Sequence, residues 1–304
     1  MTLIVAVPED RGSTALSGIE GIRAVRYTAG EPLDADAAAA EVLVPGFLSA
    51  DDVAELLGQL PNLRLVQLLS AGAENWLGRL PESVQLSTCR GAHGGSTAEW
   101  AMTALLTIYR EFVEFDINRR ERRWNQHRTD TLQDKRVLVV GAGDLGREMA
   151  RRLEAFDAHA TLVGHRARDG VRGVAELPEL LGWHDAVVLM VPLTSATTGL
   201  VDAGFLAGMP DGAVLVNAAR GSVVDTGALL AELRSGRLRA ALDVTDPEPL
   251  PEDHPLWTVE GLLLTPHIGG SCTGLEDRAW AVAAAEISRF AAGERPHNLV
   301  DGEY

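Results

Sequence analysis

The segment KRVLVVGAGDLGREMARRLEAF (135–156) constrains the fold more than any other part of the chain. It begins with the apolar run VLVV (137–140), which has the composition of a buried strand. GAGDLG (141–146) follows at once with the spacing G-x-G-x-x-G, and apolar residues then recur at helical spacing. A strand, a glycine-rich turn and a helix in this order predict a Rossmann unit that binds a dinucleotide.

Each glycine of this loop has its own geometric task in such a unit. Gly141 permits the tight turn, Gly143 lets the backbone approach a pyrophosphate, and Gly146 lets the helix pack closely against the strand. The free N–H groups of the helix start then face the phosphates. Asp144 is unusual because it places a negative charge near those phosphates. We therefore expect its side chain to point to water, so that only its N–H contacts the cofactor.

The end of the second strand indicates which cofactor is bound. NAD-specific sites carry an acidic residue there, about 20 residues beyond the glycines, which binds the ribose 2′-hydroxyl. After the predicted strand HATLV (159–163) that position falls on Gly164 or His165, and neither is acidic. Arg166 and Arg168 follow His165 closely. Because arginine can fork onto a 2′-phosphate, we predict NADP as the preferred cofactor and NAD as a second usable one. A solvated basic loop is the alternative.

Three further apolar runs are each followed by a side chain suited to the chemistry of a carbonyl acid. The runs are AVLV (213–216), LRAAL (238–242) and LLLT (262–265), and the residues that follow them are Arg220, Glu248 and His267. The ends of parallel strands are where α/β enzymes place their chemistry. Arginine can hold a carboxylate through two hydrogen bonds, and histidine exchanges a proton near neutral pH. A carboxylate beside that histidine fixes its tautomer and favours its charged form.

Each of the three residues also has an ordinary structural interpretation. Arg220 could form a surface ion pair, His267 could be a turn residue, and Glu248 could be solvated in its proline-rich loop. The three together, behind a dinucleotide signature, favour a catalytic set.

The order and spacing of these motifs resemble the D-isomer-specific 2-hydroxyacid dehydrogenase family. The similar segments are GAGDLG (141–146), VPLTSATTGLV (191–201), NAARGSVVD (217–225), ALDVTDPEPLP (241–251) and TPHIGGS (265–271). A weaker resemblance includes LLSAGAENW (68–76) and STAEW (96–100), so that it covers nearly the whole chain. Formate dehydrogenases of the same superfamily resemble the chain less, because they carry glutamine where Glu248 stands.

The resemblance implies a role for each matched residue. Arg220 would bind the carboxylate and carbonyl of the substrate, His267 would protonate the carbonyl oxygen, and Glu248 would pair with His267. Asp243 would hold the nicotinamide carboxamide, and the N–H groups of Ala71 and Gly72 would contact the substrate carboxylate. The remaining cofactor contacts would come from Leu145, Val191, Pro192, Thr197, Ala218 and Gly269.

The implied reaction is reduction of a 2-keto acid to a D-2-hydroxy acid, with hydride passing from C4 of the nicotinamide to C2 of the substrate. Glyoxylate, hydroxypyruvate and larger 2-keto acids all fit this description, as for a glyoxylate/hydroxypyruvate reductase. Two alternatives stay open: a dinucleotide-sensing binding module on the same fold, and oxidation of a non-carbon substrate such as phosphite. The family also implies a homodimer formed through the cofactor domain. The helix that starts at Ser96 carries Trp100, Leu105, Ile108 and Phe112 on more than one side, which is typical of an interface helix and equally of a buried core helix.

Composition narrows the classes of partner. The chain has 304 residues and a net charge of −16, which disfavours nucleic acid and anionic membranes. No apolar run approaches the roughly 18 residues of a membrane span, and we expect the start MTLIVAVPEDRG to form a first strand and not a signal peptide. Cys89 and Cys272 are too few for a disulfide framework, and no metal-ligand spacing is present. We therefore expect a cytoplasmic protein.

The pattern of apolar runs predicts an α/β fold with two Rossmann-like domains and a cleft between them. A flavodoxin-like substrate-binding domain would comprise residues 1–95 and be completed by 274–304, and an NAD(P)-binding Rossmann domain would comprise 96–273. Residues 96–123 read as one long helix with Ser96 as N-cap and Glu99 completing a capping box. A second long helix is expected at 274–293. We expect core packing for Trp76, Trp100 and Trp124, and structural or solvent roles for His93, His184 and His254.

Overall fold

A computed structural model describes residues 2–46 and 50–302 of the chain. The chain divides into two compact units, which we call the N-terminal unit (residues 1–93 and 273–304) and the central unit (residues 94–272). Their assignment to substrate and dinucleotide stays a prediction at this point.

The strands of both units are short, and most of them follow apolar runs of the sequence. They are β1 (Leu3–Val7), β2 (Ile22–Arg26), β3 (Val42–Leu43), β4 (Leu65–Gln67), β5 (Gln85–Ser87), β6 (Arg136–Val140), β7 (His159–Gly164), β8 (Val171–Gly173), β9 (Ala186–Leu189), β10 (Val214–Asn217), β11 (Arg239–Leu242) and β12 (Leu262–Leu264).

Helices connect most of these strands. They are α1 (Asp10–Leu16), α2 (Ala35–Ala38), α3 (Ala50–Gly58), α4 (Gly94–Tyr109), α5 (Phe112–Arg120), α6 (Asp144–Ala155), α7 (Leu177–Leu181), α8 (Ala203–Gly208), α9 (Thr226–Arg234) and α10 (Leu275–Ala291). Among the residues described, no helix is long and apolar enough to cross a membrane.

The N-terminal unit is built on a parallel sheet of order β2-β1-β3-β4-β5. This is the flavodoxin-like strand order. Helix α10 covers one face, where Trp280, Ala283 and Ile287 pack against buried valines and leucines of the sheet. The indole ring of Trp280 fits there because residue 12 of α1 is glycine. A Cβ on Gly12 would lie 2.5 Å from the ring.

The central unit is built on a parallel sheet of order β12-β11-β10-β9-β6-β7-β8. Counted from β6, this contains the strand order 3-2-1-4-5-6 of a Rossmann fold. The order reverses between β6 and β9, and such a reversal is where open α/β sheets bind ligands. The predicted fold class, two Rossmann-like α/β domains, is confirmed.

Strand β6 shows why these sequences form a sheet covered on both faces. Leu138 and Val140 belong to the core on one face, and Val137 and Val139 belong to the core on the other. All four are at most 2% exposed. Burial of each such side chain contributes on the order of 1.5–3 kcal/mol, which accounts for the unbroken apolar run.

The predicted helix 96–123 is wrong in two respects. It is two helices, because Glu111 adopts a left-handed conformation (φ 53°) that separates α4 from α5. Helix α4 also begins at Gly94, so Ser96 lies inside its first turn, and the predicted N-cap and capping box with Glu99 are wrong. The two glycines before Ser96 join the helix, which the sequence pattern did not indicate.

The expected core packing of the tryptophans holds for two of three. Trp76 is 8% exposed in the N-terminal core, and Trp100 packs against the core of the central unit. Trp124 is 94% exposed, so its predicted core position is wrong. It lies in the segment 112–128, which comprises α5 and the residues after it and which we call the α5 arm.

The α5 arm is tied back to the left-handed turn before it. Glu111 Oε2 lies 2.7 Å from His127 Nε2, and the imidazole stacks on Phe115 with ring centroids 5.0 Å apart. The hydrogen bond with Glu111 is the main cause that raises the pKa of His127 above its ordinary value of 6.5. The pair therefore stabilises the folded protein fully at a pH below the ordinary pKa of histidine. This stabilisation is lost as the pH rises through the higher pKa that His127 has in the folded protein.

We expect Glu111→Gln to lower the pKa of His127, because the variant removes the carboxylate that stabilises the imidazolium. An NMR titration of the His127 ring measures this directly. Glu121→Gln is the matched control, since Glu121 lies in the same arm but pairs with Arg123. Equal shifts in both variants would show that the pair does not control His127.

Candidate active site

The loop GAGDLG turns between β6 and α6 at the reversal of strand order. Gly141 has φ 120°, and a Cβ there would lie 2.3 Å from the carbonyl oxygen of Met190, just after β9. A Cβ on Gly146 would lie 1.8 Å from the carbonyl oxygen of Gly141. Both positions therefore require glycine for the fold itself.

Gly143 has a different reason to be glycine. It is exposed, its φ is −83°, and nothing lies within 4 Å of the place a Cβ would take. The open space lies at the N-terminus of α6, a helix of 12 residues whose first N–H groups are available to an anion. These residues fit the diphosphate of a dinucleotide.

Asp144 is half-buried, so its side chain does not point entirely to water as expected. Its Oδ2 atom is buried, and a Cβ on Gly94 would lie only 2.1 Å from that oxygen. The carboxylate therefore packs against the first residue of α4. The sequence could not show this, because the contact joins distant parts of the chain.

The basic residues after β7 differ in their surroundings. Arg168 donates from Nη2 to the carbonyl oxygen of Ala142 at 3.1 Å, and its guanidinium covers Gly164. Backbone hydrogen bonds between Arg168 and Val171 close the turn. His165 and Arg166 are exposed, and their side chains make no hydrogen bond or ion pair within residues 2–46 and 50–302. Arg168 thus braces the loop, and Arg166 has a free guanidinium.

The segment after β9 forms a compact turn next to the dinucleotide loop. Thr197 Oγ1 donates to the carbonyl oxygen of Pro192 at 2.7 Å and accepts from the N–H of Thr194 at 2.8 Å. Val191 contacts the core beneath the turn. Thr197 therefore shapes the backbone of residues 191–197.

Arg220 stands at the carboxyl end of β10. The side chain of Asn217, fully buried, donates to the carbonyl oxygen of Arg220 at 2.9 Å and accepts from the N–H of Ala219 at 3.0 Å. Ala218 is buried and donates from its N–H to Leu189 of β9. Asn217 therefore fixes the turn that presents Arg220, whose Nη1 also donates to the carbonyl oxygen of Ala219 at 2.7 Å.

His267 and Glu248 meet at the carboxyl ends of β12 and β11. His267 Nδ1 lies 2.7 Å from Glu248 Oε1, and the two side chains are 47% and 41% exposed. A pair this exposed contributes little to stability. Its effect is geometric, because it fixes the ring and leaves Nε2 for another partner.

Asp243, 4% exposed after β11, anchors the segment that carries His267. Its Oδ1 accepts from Thr265 Oγ1 at 2.6 Å and from the N–H of Ile268 at 2.8 Å, and its Oδ2 accepts from the N–H of Gly269 at 2.7 Å. The carbonyl oxygen of Asp243 also accepts from the N–H of His267. These bonds hold His267 in its left-handed conformation, φ 53°.

The predicted site residues therefore fall into groups. The structure brings together His267 with Glu248, Asp243 with Gly269, and Arg168 with the dinucleotide loop. Leu145 is the second residue of α6 and packs against the core cluster that includes the buried face of α4. Ala71 and Gly72 follow β4 in the N-terminal unit, where Ser70 Oγ donates to the carbonyl oxygen of Gly72 at 2.7 Å.

The histidines expected to be structural bond to the chain around them. His184 contacts the carbonyl oxygen of Leu180 and Thr161 Oγ1, His254 accepts from the N–H of Leu256, and His93 contacts the carbonyl oxygen of Leu69.

Sequence reasoning missed two supporting residues, Asn217 and Thr265. Both are polar residues at the ends of apolar runs, beside a predicted catalytic residue. A polar side chain buried at a strand end must find hydrogen-bond partners, and this was the available signal.

Comparison with known proteins agrees with this geometry. The family model "D-isomer specific 2-hydroxyacid dehydrogenase, NAD binding domain" matches residues 102–269. A glyoxylate reductase from Thermofilum pendens is 32% identical over 267 residues, which cover 82% of this chain and 78% of that protein. The chain belongs to the D-isomer-specific 2-hydroxyacid dehydrogenase family. It also matches D-3-phosphoglycerate dehydrogenases, of which it spans about half the length (47% for the Mycobacterium leprae protein).

Two solved structures extend the family likeness to nearly the whole chain. A D-isomer-specific 2-hydroxyacid dehydrogenase from Xanthobacter autotrophicus Py2, in complex with NADPH and MES, has 30% identity and a TM-score of 0.84, with 98% of each chain covered. An NADPH-dependent glyoxylate/hydroxypyruvate reductase from Sinorhizobium meliloti, in complex with NADP and sulfate, has 25% identity and a TM-score of 0.83, with 99% of this chain and 98% of that chain covered. The predicted family and the predicted NAD(P)-dependent enzyme class are confirmed.

The loops after β10 and β11 touch beside Arg220, and this contact generates a prediction. A Cβ on Gly221 would lie 1.9 Å from the carbonyl oxygen of Thr245. We expect Gly221→Ala to displace both loops, to lower kcat/KM and to destabilise the protein by about 1–3 kcal/mol. Kinetics and thermal unfolding measure the two effects.

Gly182→Ala is the control, since its nearest neighbour would lie 3.8 Å away. Normal turnover in Gly221→Ala would show that the close contact does not position the site.

Proposed function

We propose that the chain is an NADPH-preferring reductase that converts small 2-keto acids to D-2-hydroxy acids. The observation that carries this proposal is the contact of 2.7 Å between His267 Nδ1 and Glu248 Oε1. These two residues follow β12 and β11, which are the next strands in the sheet after β10, the strand that precedes Arg220. Glyoxylate and hydroxypyruvate are the proposed substrates, supported by the names of relatives similar over most of the chain.

His267 is proposed as the proton donor. With Nδ1 directed at Glu248, Nε2 is the ring nitrogen that can reach the carbonyl oxygen of a substrate. The contact with Glu248 fixes the orientation of the ring, so that Nε2 faces away from the carboxylate. The anchor at Asp243 limits movement of the ring, because it holds the backbone on both sides of His267.

Arg220 is proposed to bind and polarise the substrate. A guanidinium binds a carboxylate through paired hydrogen bonds and draws electron density from an adjacent carbonyl. The side chain of Asn217 bonds to the backbone of Ala219 and Arg220, so the backbone position of Arg220 is fixed. The nicotinamide, when bound, supplies the hydride.

The preference for NADPH is proposed from the loop after β7. Arg166 is exposed without a protein partner among the described residues, and Arg168 is occupied with the dinucleotide loop. Arg166 is therefore the group available to a 2′-phosphate. Arg168 keeps the loop in place for both cofactors.

A homodimer is proposed through the α5 arm. The arm exposes Phe112, Val113, Ile117 and Trp124 at 64%, 52%, 42% and 94%. It carries five arginines (119, 120, 122, 123 and 128) against three carboxylates (114, 116 and 121) in a chain of net charge −16. A second copy therefore offers complementary charge.

The burial of α4 supports the second interpretation of the helix from Ser96, that of a core helix. Leu105 is fully buried, and Trp100 and Ile108 pack against the same core, so α4 is a core helix of its own unit. Phe112 is the exception, and it belongs to α5.

We expect His267→Ala to lower kcat by at least about a hundredfold, the usual scale for loss of a general acid. Arg220→Ala should raise KM and lower kcat, because the residue both binds and polarises. Glu248→Gln should shift the pH profile of turnover more than it changes cofactor affinity. Steady-state kinetics with glyoxylate and hydroxypyruvate test all three, and near-normal turnover in His267→Ala would refute the assignment.

Absence of turnover by the wild-type protein with any 2-keto acid would favour the alternative function, a dinucleotide-sensing binding module.

We expect Arg166→Ala to weaken NADPH binding relative to NADH by about 1–3 kcal/mol, the range for a charge-assisted contact. The ratio of kcat/KM for the two cofactors measures this. Arg234→Ala removes one positive charge from the last turn of α9 and is the control. A wild-type enzyme that favours NADH tenfold, with a ratio unchanged in Arg166→Ala, would contradict the NADPH preference.

We expect light scattering at micromolar concentration to give twice the chain mass of 32.5 kDa. Trp124→Ser should shift the mass toward one chain, because it removes the most exposed aromatic side chain of the arm. Trp183→Ser, at a tryptophan 66% exposed outside the arm, is the control. A wild-type mass of 32.5 kDa would exclude the dimer.

A further inference from the structure

Asp144 follows Gly143, beside the open space at the start of α6 where a dinucleotide diphosphate is proposed to bind. It is the first residue of α6, so its N–H is one of the unbonded donors at the helix start. Its carboxylate therefore also lies near the first turn of α6. Its Oδ2 atom is buried and has no hydrogen-bond partner within the described part of the chain.

The carboxylate of Asp144 is held against the start of α4. A Cβ on Gly94 would lie 2.1 Å from Oδ2 and 2.8 Å from Cγ, so the carboxylate fills the space that a side chain there would take. Helix α4 has 16 residues, and the partial positive charge at its N-terminus favours a carboxylate nearby.

A second contact lies farther along α6. A Cβ on Gly95 would lie 3.4 Å from Nη2 of Arg152, which is paired with Glu148. Residues 144, 148 and 152 are spaced by four and share one face of α6. This face packs under the first turn of α4, and Asp144 is the member nearest the dinucleotide loop.

We propose that Asp144 sets the affinity for the dinucleotide and positions the start of α4. Its negative charge weakens binding of the diphosphate at the N-terminus of α6, and its packing keeps the first turn of α4 in place. This inference rests on the proposed function only in that the ligand is a dinucleotide. The charge acts on the diphosphate that NADH and NADPH share, whereas Arg166 acts on the 2′-phosphate that distinguishes them.

A carboxylate at this point has a consequence for turnover. Tight binding of both forms of a cofactor slows its release, and release limits the rate of many enzymes. A fixed negative charge beside the diphosphate lowers the affinity for the oxidised and reduced forms alike, and it does so without altering the residues that contact the substrate.

Two variants separate charge from packing. Asp144→Asn keeps the shape of the side chain and removes the charge, and Asp144→Ala removes both. Glu154→Gln is the matched control, because Glu154 is an exposed carboxylate near the other end of the same helix. Calorimetry without substrate gives the Kd for NADPH, NADH and ADP-ribose. Hydrogen exchange of residues 95–98 reports on the start of α4.

We expect Asp144→Asn to bind all three ligands about threefold to tenfold more tightly, the scale for one partly screened charge. The gain should shrink between about 20 mM and about 500 mM salt, since salt screens the repulsion. A purely structural role would not give this salt dependence. Asp144→Ala should add faster exchange at residues 95–98, and Glu154→Gln should change neither quantity.

Unchanged or weaker binding in Asp144→Asn, or an equal gain in Glu154→Gln, would overturn the affinity role. Unchanged exchange in Asp144→Ala would overturn the positioning role. The equal effect on NADH and NADPH is expected whichever cofactor the wild-type enzyme prefers, so failure of the NADPH preference leaves this proposal standing.

Discussion

The buried carboxylate of Asp243 is the interaction on which the candidate site depends most. One side chain accepts hydrogen bonds from Thr265, Ile268 and Gly269. Removing such a carboxylate would leave three donors without a partner, at a cost of about 1–3 kcal/mol for each buried group. The left-handed backbone of His267 is stable because these bonds fix the residues on either side of it. The resemblance to the family assigned Asp243 to the nicotinamide, and the structure adds a role within the protein itself.

The proposed site follows a common plan, in which each side chain proposed to contact substrate or cofactor is held in place by a second residue. Asn217 fixes the turn of Arg220, Asp243 fixes the segment of His267, and Arg168 fixes the loop of Arg166. Asn217 and Asp243 lie at strand ends, where the parallel sheet gives a rigid base, and Arg168 lies in the turn between β7 and β8. Arg220 and His267 are more exposed than Asn217 and Asp243, which support them. A substitution of a contacting side chain can therefore change its chemistry while the supporting residue keeps the backbone in place.

The sequence predicted the features that depend on local pattern. Strands β6, β10, β11 and β12 follow apolar runs, and the dinucleotide loop follows glycine spacing, so these features could be predicted. The break between α4 and α5 was not, because Glu111 is neither glycine nor proline and nothing local marks its left-handed turn. The exposure of Trp124 was missed because large aromatic side chains usually lie in a core. The orientation of Asp144 depends on packing against Gly94, and a single sequence carries no such contact.

The three glycines of the dinucleotide loop differ in what makes them necessary. Gly141 and Gly146 are required by the neighbouring backbone, whereas the space around Gly143 is open in the protein alone. A methyl group at residue 143 would meet only solvent until a ligand arrived. A survey of substitutions scored by folding or expression would therefore class this position as tolerant, while a survey scored by ligand binding would not. The difference between two such surveys, taken position by position, would map the surface that the dinucleotide covers without any structure of the complex.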